Sequence, residues 1–519
     1  MIFSRNSALA ALEDRFDVLV IGGGATGLGI AVDAATRGYR TAQVEAGDFA
    51  QATSSRATKL IHGGVRYLAA GQLHLVWEAL RERAILARAA PHLVHPLGFV
   101  LPVYRRLELP WYGTGLLLYD LLSGKSTMGP TRVLGASATT EKVPGIAQAG
   151  LAGSVLYHDA QFNDARLALA LARTAADHGA VILNYVRCER LLHSGGRLSG
   201  ALVCDLETGA EATIQASVVI NAAGIFSDAI RRLDNPAAPP LLSLSRGSHI
   251  VVDAGILGGS NALMIPKTRD GRVIFAIPWE GRAVIGTTDV AVSGAAMEPG
   301  YTEAEIDYLL DHIGPYLAKP ISRSDILSVF SGLRPLVTGK AATTSRLSRE
   351  HHIDLSPTGL ITIAGGKWTT YRRMAQDILD FAIHHRMLPA AACVTGTTLI
   401  HGATPTPASR DPYLREYGAD LPDLEVLIAA EPALAYCLDP ELPYIAAQVV
   451  YATRFEMART VEDVLSRRTR ALLLNAQAAL RAAPGVAALL SRELGRDAAW
   501  ADDQLRSFTH LARENYSPR

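Results

Sequence analysis

Residues 16–32 read Phe16-Asp17-Val18-Leu19-Val20-Ile21-Gly22-Gly23-Gly24-Ala25-Thr26-Gly27-Leu28-Gly29-Ile30-Ala31-Val32. An apolar strand runs into a tight glycine turn and out into a helix of small residues. Gly22, Gly24 and Gly27 hold the spacing G-x-G-x-x-G. A second apolar run, Tyr39 to Val44, stops at Glu45. That places a carboxylate roughly twenty residues beyond the glycines, where it can accept hydrogen bonds from a ribose. The glycine spacing alone is a weak signal. Strand, turn, helix, strand and acid in that order are a strong one, and they predict a dinucleotide site.

The rest of the composition is compatible with that site. The chain has 519 residues, too many for one ordinary core, so two or three domains are expected. Apolar residues make up 49% and charged residues 19%, with 45 glycines, which describes a folded α/β protein. Lys plus Arg equals Asp plus Glu at 50 each, so no net charge draws the chain to nucleic acid. Cys188, Cys204, Cys393 and Cys437 form no C-x-x-C pair and read as free thiols. The histidines are scattered, and no zinc pattern, P-loop or serine elbow is present, so no metal is expected. The start of the chain lacks a secretion-signal pattern. No apolar run is long enough to span a bilayer. The nearest, Leu109 to Leu122, is broken by Pro110, Gly113, Gly115 and Asp120, and its aromatic and leucine content also suits a membrane interface.

Further along, an amphipathic helix is predicted over 73–90, ended by Pro91, and a strand over 97–104. Residues 164–179 read as an alanine-rich helix. Two short strands, 180–185 and 201–205, follow it with a polar stretch between them. Residues 216–224 form a buried strand ending in small residues, where the backbone can approach a cofactor. From about 243 to 355 the pattern is β-rich, with a helix near 303–316, as expected of an antiparallel sheet over a substrate cavity. At 359–370 a strand again meets a glycine turn, Gly365-Gly366, and a helix start. A chain that returns in this way makes the dinucleotide domain discontinuous. The second turn favours FAD, whose isoalloxazine end needs a backbone contact far from its adenosine end. Residues beyond about 404 are helical and carry no glycine-loop chemistry.

Several of these stretches together resemble the FAD-dependent glycerol-3-phosphate dehydrogenase family. They are Ser54-Ser55-Arg56-Ala57-Thr58-Lys59-Leu60-Ile61-His62-Gly63-Gly64-Val65-Arg66-Tyr67-Leu68, Asp159 to Leu167, Gly247-Ser248-His249, Ile285 to Asp289, Ser331 to Leu336 and Gly365 to Arg372. The order is kept from about 15 to 375 and continues at Glu456-Met457-Ala458 and Asp463 to Arg470. The resemblance implies a Rossmann-like FAD-binding domain with an inserted antiparallel-sheet substrate domain and a C-terminal helical domain. The expected boundaries are 15–90, 161–240 and 351–385 for FAD, 91–160 and 241–350 for the cap and substrate sheet, and 400–519 for the helices.

It also implies a reaction. Hydride leaves C2 of sn-glycerol 3-phosphate for flavin N5, giving dihydroxyacetone phosphate, and the electrons pass to ubiquinone or menaquinone. By motif position, Arg66 and Tyr67 fall by the substrate, Arg334 beside the flavin ring, Arg349 on the phosphate, and Lys367 near developing negative charge. His249, read as preceding a strand, is the expected base, with orientation alone as its rival role. The expected cofactor contacts are Gly22, Gly24, Gly27, Glu45, Ser54, Ser55, Lys59, His62, Gly63, Gly224, Gly366, Lys367 and Thr369. His62 is expected to order the loop under the flavin without a covalent bond. Phe226 stands where many members have tryptophan, and residues 291–296 are bland. The implied partners are the quinone, the inner face of the cell membrane, approached from the cytoplasm, and a second subunit. Trp111 to Leu122 or the basic C-terminal helices, including Arg467-Arg468, would meet the membrane, with packing as the rival reading of both. The rivals are an oxidase that uses oxygen and a flavin-binding module without turnover.

Overall fold

The computed structural model describes residues 4–65, 68, 71–269, 271–338 and 351–518. Two sheets organise it. Among the described residues the first has eight strands. Its spine runs His352–Leu355, Ile361–Ala364, Glu211–Asn221, Arg15–Ile21, Thr41–Val44 and Val181–Leu183. Arg15–Ile21 lies parallel to both neighbours, with Ile21 opposite Asn221 on one side and Val44 on the other. Both faces are covered, which explains why these strands read as unbroken apolar runs. Helix Ala25–Thr36 is almost wholly buried and packs against helices Asp164–Asp177 and Tyr371–His384. The predicted return of the chain at residue 359 is therefore present in space, since Ile361–Ala364 pairs in parallel with Glu211–Asn221.

The polar stretch between the strands expected at 180–185 and 201–205 proves to be a strand itself, Val186–Ser194, paired antiparallel with Arg197–Asp205. Its charges hid it. Val186, Cys188 and Leu191 point inward while Arg187 and Arg190 face solvent, the alternation of a sheet with one wet face.

The second sheet has ten described strands. From one edge they run Val290–Val292, Leu242–Asp253, Arg282–Gly286, Ile274–Trp279, Ala262–Ile265, Val94–Val103, Gly153–Phe162 and Leu60–Ile61. Ser328–Val337 and Arg132–Gly135 pair off this path. The sheet is mixed where a wholly antiparallel one was expected, because Ala262–Ile265 lies parallel to Val94–Val103. A parallel pair needs a long crossover, and the chain between these strands supplies one by passing through the first sheet.

The C-terminal helices Leu421–Ala430, Ala446–Phe455, Ala476–Leu494 and Ala498–Asn515 form the third layer. Val449, Val464, Leu472 and Phe508 share one core with Val251, Trp279 and Phe330 of the second sheet. No described helix is long and apolar enough to cross a membrane.

Candidate active site

The glycine turn after Ile21 has a backbone that side chains would obstruct. Gly22 has φ +116°, and a Cβ there would lie 2.5 Å from the carbonyl oxygen of Ala222. A Cβ on Gly27 would strike the carbonyl of Gly22. Gly24 then opens helix Ala25–Thr36 without a capping side chain of its own, and the Ala25 N–H donates to Ser54 Oγ at 2.9 Å. Glu45 stands at the end of the second strand as predicted. Its carboxylate accepts from the Gly23 N–H at 2.6 Å and from the Gly47 N–H at 2.8 Å. Burial pushes its pKa up against those bonds. Each oxygen keeps a lone pair for a ribose hydroxyl. A close backbone turn, a helix N-terminus and an acceptor carboxylate fit a dinucleotide, with the positive helix end toward pyrophosphate.

The second turn lies against the first. Gly365 and Gly366 have φ +81° and +80°. Trp368 Nε1 donates to the Ser54 carbonyl at 2.8 Å, and the His62 N–H donates to Thr369 Oγ1 at 3.3 Å. Residues 54–62 and 365–369, far apart in sequence, thus form one wall. Lys367 is half-buried on it. Gly224, φ +57°, faces open space beyond the end of Glu211–Asn221.

Gly63 has a different neighbourhood. Its N–H donates to the Tyr119 hydroxyl at 2.8 Å, and a Cβ would strike Leu80 and that hydroxyl. Tyr119 donates to Asp159, which is paired with the fully buried Arg83. Gly63 thus packs on protein and ties the loop after His62 to Tyr119.

Lys59 corrects an expectation. It does not line the loop as a cofactor contact. Its ammonium is fully buried, 2.7 Å from Asp164 Oδ2 and 2.9 Å from the Ser55 carbonyl, above the rings of Trp279 and Phe330. Burial, opposed by Asp164 and reinforced by Arg470, brings its pKa down to about 7. Ser55 is likewise buried, and its carbonyl also receives Arg470.

His249 lies inside strand Leu242–Asp253, not before it. The strand pairs with Ser328–Val337, so Phe330 is directly opposite and stacks on the imidazole at 4.6 Å and 10°. The ring is 2% exposed. Nε2 lies 3.0 Å from Thr58 Oγ1, and Nδ1 is buried without a hydrogen-bond partner. Burial, then Lys59 and Arg334, push its pKa well below the usual histidine value, so the imidazole is neutral at pH 7.

Arg334 is four residues further along Phe330's strand. Its guanidinium donates to the Thr288 carbonyl at 3.2 Å and Thr287 Oγ1 at 3.0 Å, and lies 3.5 Å from Asp289. The preceding Leu333 carbonyl receives Thr53 Oγ1 at 2.6 Å, which ties this strand to the Ser54 loop. The structure therefore brings Arg334, His249, Ser54, His62 and Thr369 into linked neighbourhoods. Arg66, Tyr67 and Arg349 lie outside the described residues.

Four contributors were not anticipated: Thr58, Arg56, Asp164 and Glu298. Arg56 is buried in a bidentate pair with Glu298, just past the bland stretch 291–296. Only spatial pairing shows them, because their partners are over one hundred residues away. Arg467 and Arg468 are not at the surface, so neither is a membrane contact. Both are buried on Asp48, in the loop after Glu45. Among the described residues no group of three acidic, histidine or cysteine side chains could hold a metal ion.

Comparison with known proteins defines the class first. Residues 17–372 match the family described as FAD dependent oxidoreductase, and residues 356–501 match the C-terminal domain of alpha-glycerophosphate oxidase. The chain is 41% identical over 541 residues to "Glycerol-3-phosphate dehydrogenase, mitochondrial" of Homo sapiens, covering 97% of this chain and 74% of that protein. It is 39% identical to "Glycerol-3-phosphate dehydrogenase SDP6, mitochondrial" of Arabidopsis thaliana, covering 94% of this chain and 85% of that protein. The glycerol-3-phosphate dehydrogenase from Bacillus halodurans, solved with FAD, superposes with a TM-score of 0.80 at 28% identity, covering 98% of this chain and 97% of that one. The chain belongs to the FAD-dependent glycerol-3-phosphate dehydrogenase family.

Proposed function

We propose that this protein oxidises sn-glycerol 3-phosphate to dihydroxyacetone phosphate with FAD and passes the electrons to a respiratory quinone. Bound FAD supplies the redox chemistry by accepting the hydride. The protein's residues hold the cofactor, orient the carbinol and take its proton. Gly22, Gly24, Gly27 and Glu45 would hold the dinucleotide end, and Gly224, Gly366, Lys367 and Thr369 the far end. Arg334 would orient the carbinol oxygen and His249 serve as the proton acceptor. Lys367 would balance negative charge as it develops. Arg66 and Tyr67 keep the place by the substrate, and Arg349 the phosphate role, that their motifs imply.

The observation that carries this reading is the arrangement around Phe330. A neutral histidine and a constrained guanidinium are displayed from one strand pair, and that pair is tied through Thr53 to the glycine cradle. The test is anaerobic mixing of FAD-loaded protein with sn-glycerol 3-phosphate. Bleaching of the flavin absorbance is the expected result, and its absence in folded, loaded protein would refute the assignment.

Quinone use requires a membrane-facing surface. Helix Leu109–Ser123 supports one, with Trp111 79% exposed and Leu121 76%, beside Leu107 at 93%. The adjoining helix Leu73–Ala89 adds the exposed Trp77. An apolar exposed face flanked by tryptophans suits a lipid interface. Cosedimentation with anionic vesicles, weakened in Trp111→Ala, is the expected outcome. The match to an oxidase C-terminal domain makes oxygen the second reading. Peroxide production at a rate equal to substrate turnover, with no stimulation by a quinone analogue, would favour it.

A further inference from the structure

His249 is enclosed too completely to meet a substrate directly. The imidazole is 2% exposed and pinned on one face by Phe330. Gly286 leaves no gap at its edge, since a Cβ there would strike the ring. Nδ1 is sealed and has no partner. Nε2 is covered by the hydroxyl of Thr58 at 3.0 Å. Thr58 itself is half-buried, in the loop that carries Ser54 and His62, so it is the member of the pair with an open side.

We propose that Thr58 is the residue through which His249 acts, its hydroxyl relaying the substrate proton from the site to His249 Nε2. This rests on the assignment of His249 as the proton acceptor. The atoms balance as follows. The C2 hydrogen of the substrate leaves as hydride to the FAD that the family's activity supplies. The substrate O–H bond breaks and its proton passes to Thr58 Oγ1. The proton that Thr58 carried passes to His249 Nε2. A ketone and a protonated imidazole result, and the threonine regains its hydroxyl.

The chemistry of the pair favours this direction. A neutral imidazole has one donor and one acceptor nitrogen, and a threonine hydroxyl can donate and accept at once. With Thr58 donating to Nε2, that nitrogen holds the lone pair before the reaction. Burial, then the charges of Lys59 and Arg334 that face it, keep the ring unprotonated before the reaction and make it a passing rather than a final resting place for the proton. Lys59 is in turn held by Asp164, so its distance from the ring is fixed.

The test compares Thr58→Val, which keeps the shape and removes the hydroxyl, with Thr58→Ser, which keeps the hydroxyl. Flavin reduction in Thr58→Val should slow roughly 10²-fold, the lower range for a lost acid–base group. Thr58→Ser should stay within about threefold. The reduction-rate pH profile should lose its dependence on the histidine in Thr58→Val. In ¹⁵N-histidine spectra, the resonance missing from His249→Gln should shift in Thr58→Val and not in Thr58→Ser, a readout independent of turnover. Wild-type reduction and pH profile in Thr58→Val would overturn the relay. So would loss of FAD from Thr58→Val and Thr58→Ala alike, because the hydroxyl would then be a structural pin. Wild-type reduction in His249→Gln would instead refute the acceptor assignment beneath it.

Discussion

At the scale of single residues, Arg334 shows how a charge is made useful by its surroundings. Its guanidinium is held by several neighbours, a carboxylate among them. It is aimed by the Thr288 carbonyl and Thr287 hydroxyl, with Asp289 at 3.5 Å. Arg334→Ala should lower the rate of flavin reduction by about 10²–10³-fold, the effect of removing one preorganised donor from developing charge. FAD content should not change, because the cradle is built by other residues. Anaerobic stopped-flow with a flavin-to-protein ratio checks both halves, and loss of FAD would move Arg334 to a structural role. The motif around Arg334 was legible in sequence, as was the type of residue needed. The sequence could not show that Lys59, in an equally suggestive motif, turns inward. Its orientation is set by Asp164 and Arg470, whose proximity depends on the closed fold.

At the scale of elements, two joints tie distant segments of the chain together. The first holds the His62–Gly63 loop against helix Leu109–Ser123 and strand Gly153–Phe162, through Tyr119, Asp159 and Arg83. Tyr119→Phe leaves the Gly63 N–H and Asp159 short of a partner, so unfolding should become easier by about 1–3 kcal/mol. Denaturant titration measures it. The second joint is His401, between the end of helix Asp164–Asp177 and Asp420. Nδ1 meets Asp177 at 2.5 Å and Nε2 meets Asp420 at 3.1 Å, so both nitrogens face carboxylates. Burial alone would lower its pKa, but those bonds raise it to about 9. The sign follows from the folded value lying above the unfolded one. The contribution is complete below about pH 6.5 and is lost as pH rises through 9. With Asp177 half exposed, screening limits it to about 1 kcal/mol. Wild type should lose that stability between pH 6.5 and 9, and His401→Gln should not. Equal slopes in both would remove the histidine from the joint.

At the scale of the whole molecule, the parts with local signals were the readable ones. The glycine turns, the long helices and the unbroken apolar strands announce themselves in short windows. Strand Val186–Ser194 did not, because its inward residues alternate with charges. The parallel pairing of Ala262–Ile265 with Val94–Val103 depends on a crossover through another sheet. The C-terminal arginines were the least readable, since their carboxylate lies over four hundred residues earlier. Arg467 and Arg468 converge on Asp48, and Arg470 reaches Asp164 and the Ser55 carbonyl. The helical domain therefore grips the loop beyond Glu45 and the loop of Ser54 together. This joint predicts that cofactor retention depends on a distant domain. Asp48→Ala leaves buried guanidiniums without their shared partner and should cost about 3–5 kcal/mol. Arg454→Ala, at a partly exposed pair with Glu493, should cost under about 1 kcal/mol. The two arginines outweigh burial and hold the Asp48 pKa below the usual value. A depressed carboxylate stabilises the fold above the ordinary range near 4 and loses that contribution as pH falls. Acid should thus release FAD from wild type as this cluster protonates, while Asp48→Ala should release it already at neutral pH. Flavin fluorescence followed during acid titration checks this. Coincident release curves for Asp48→Ala and wild type would separate the cluster from the cofactor loop.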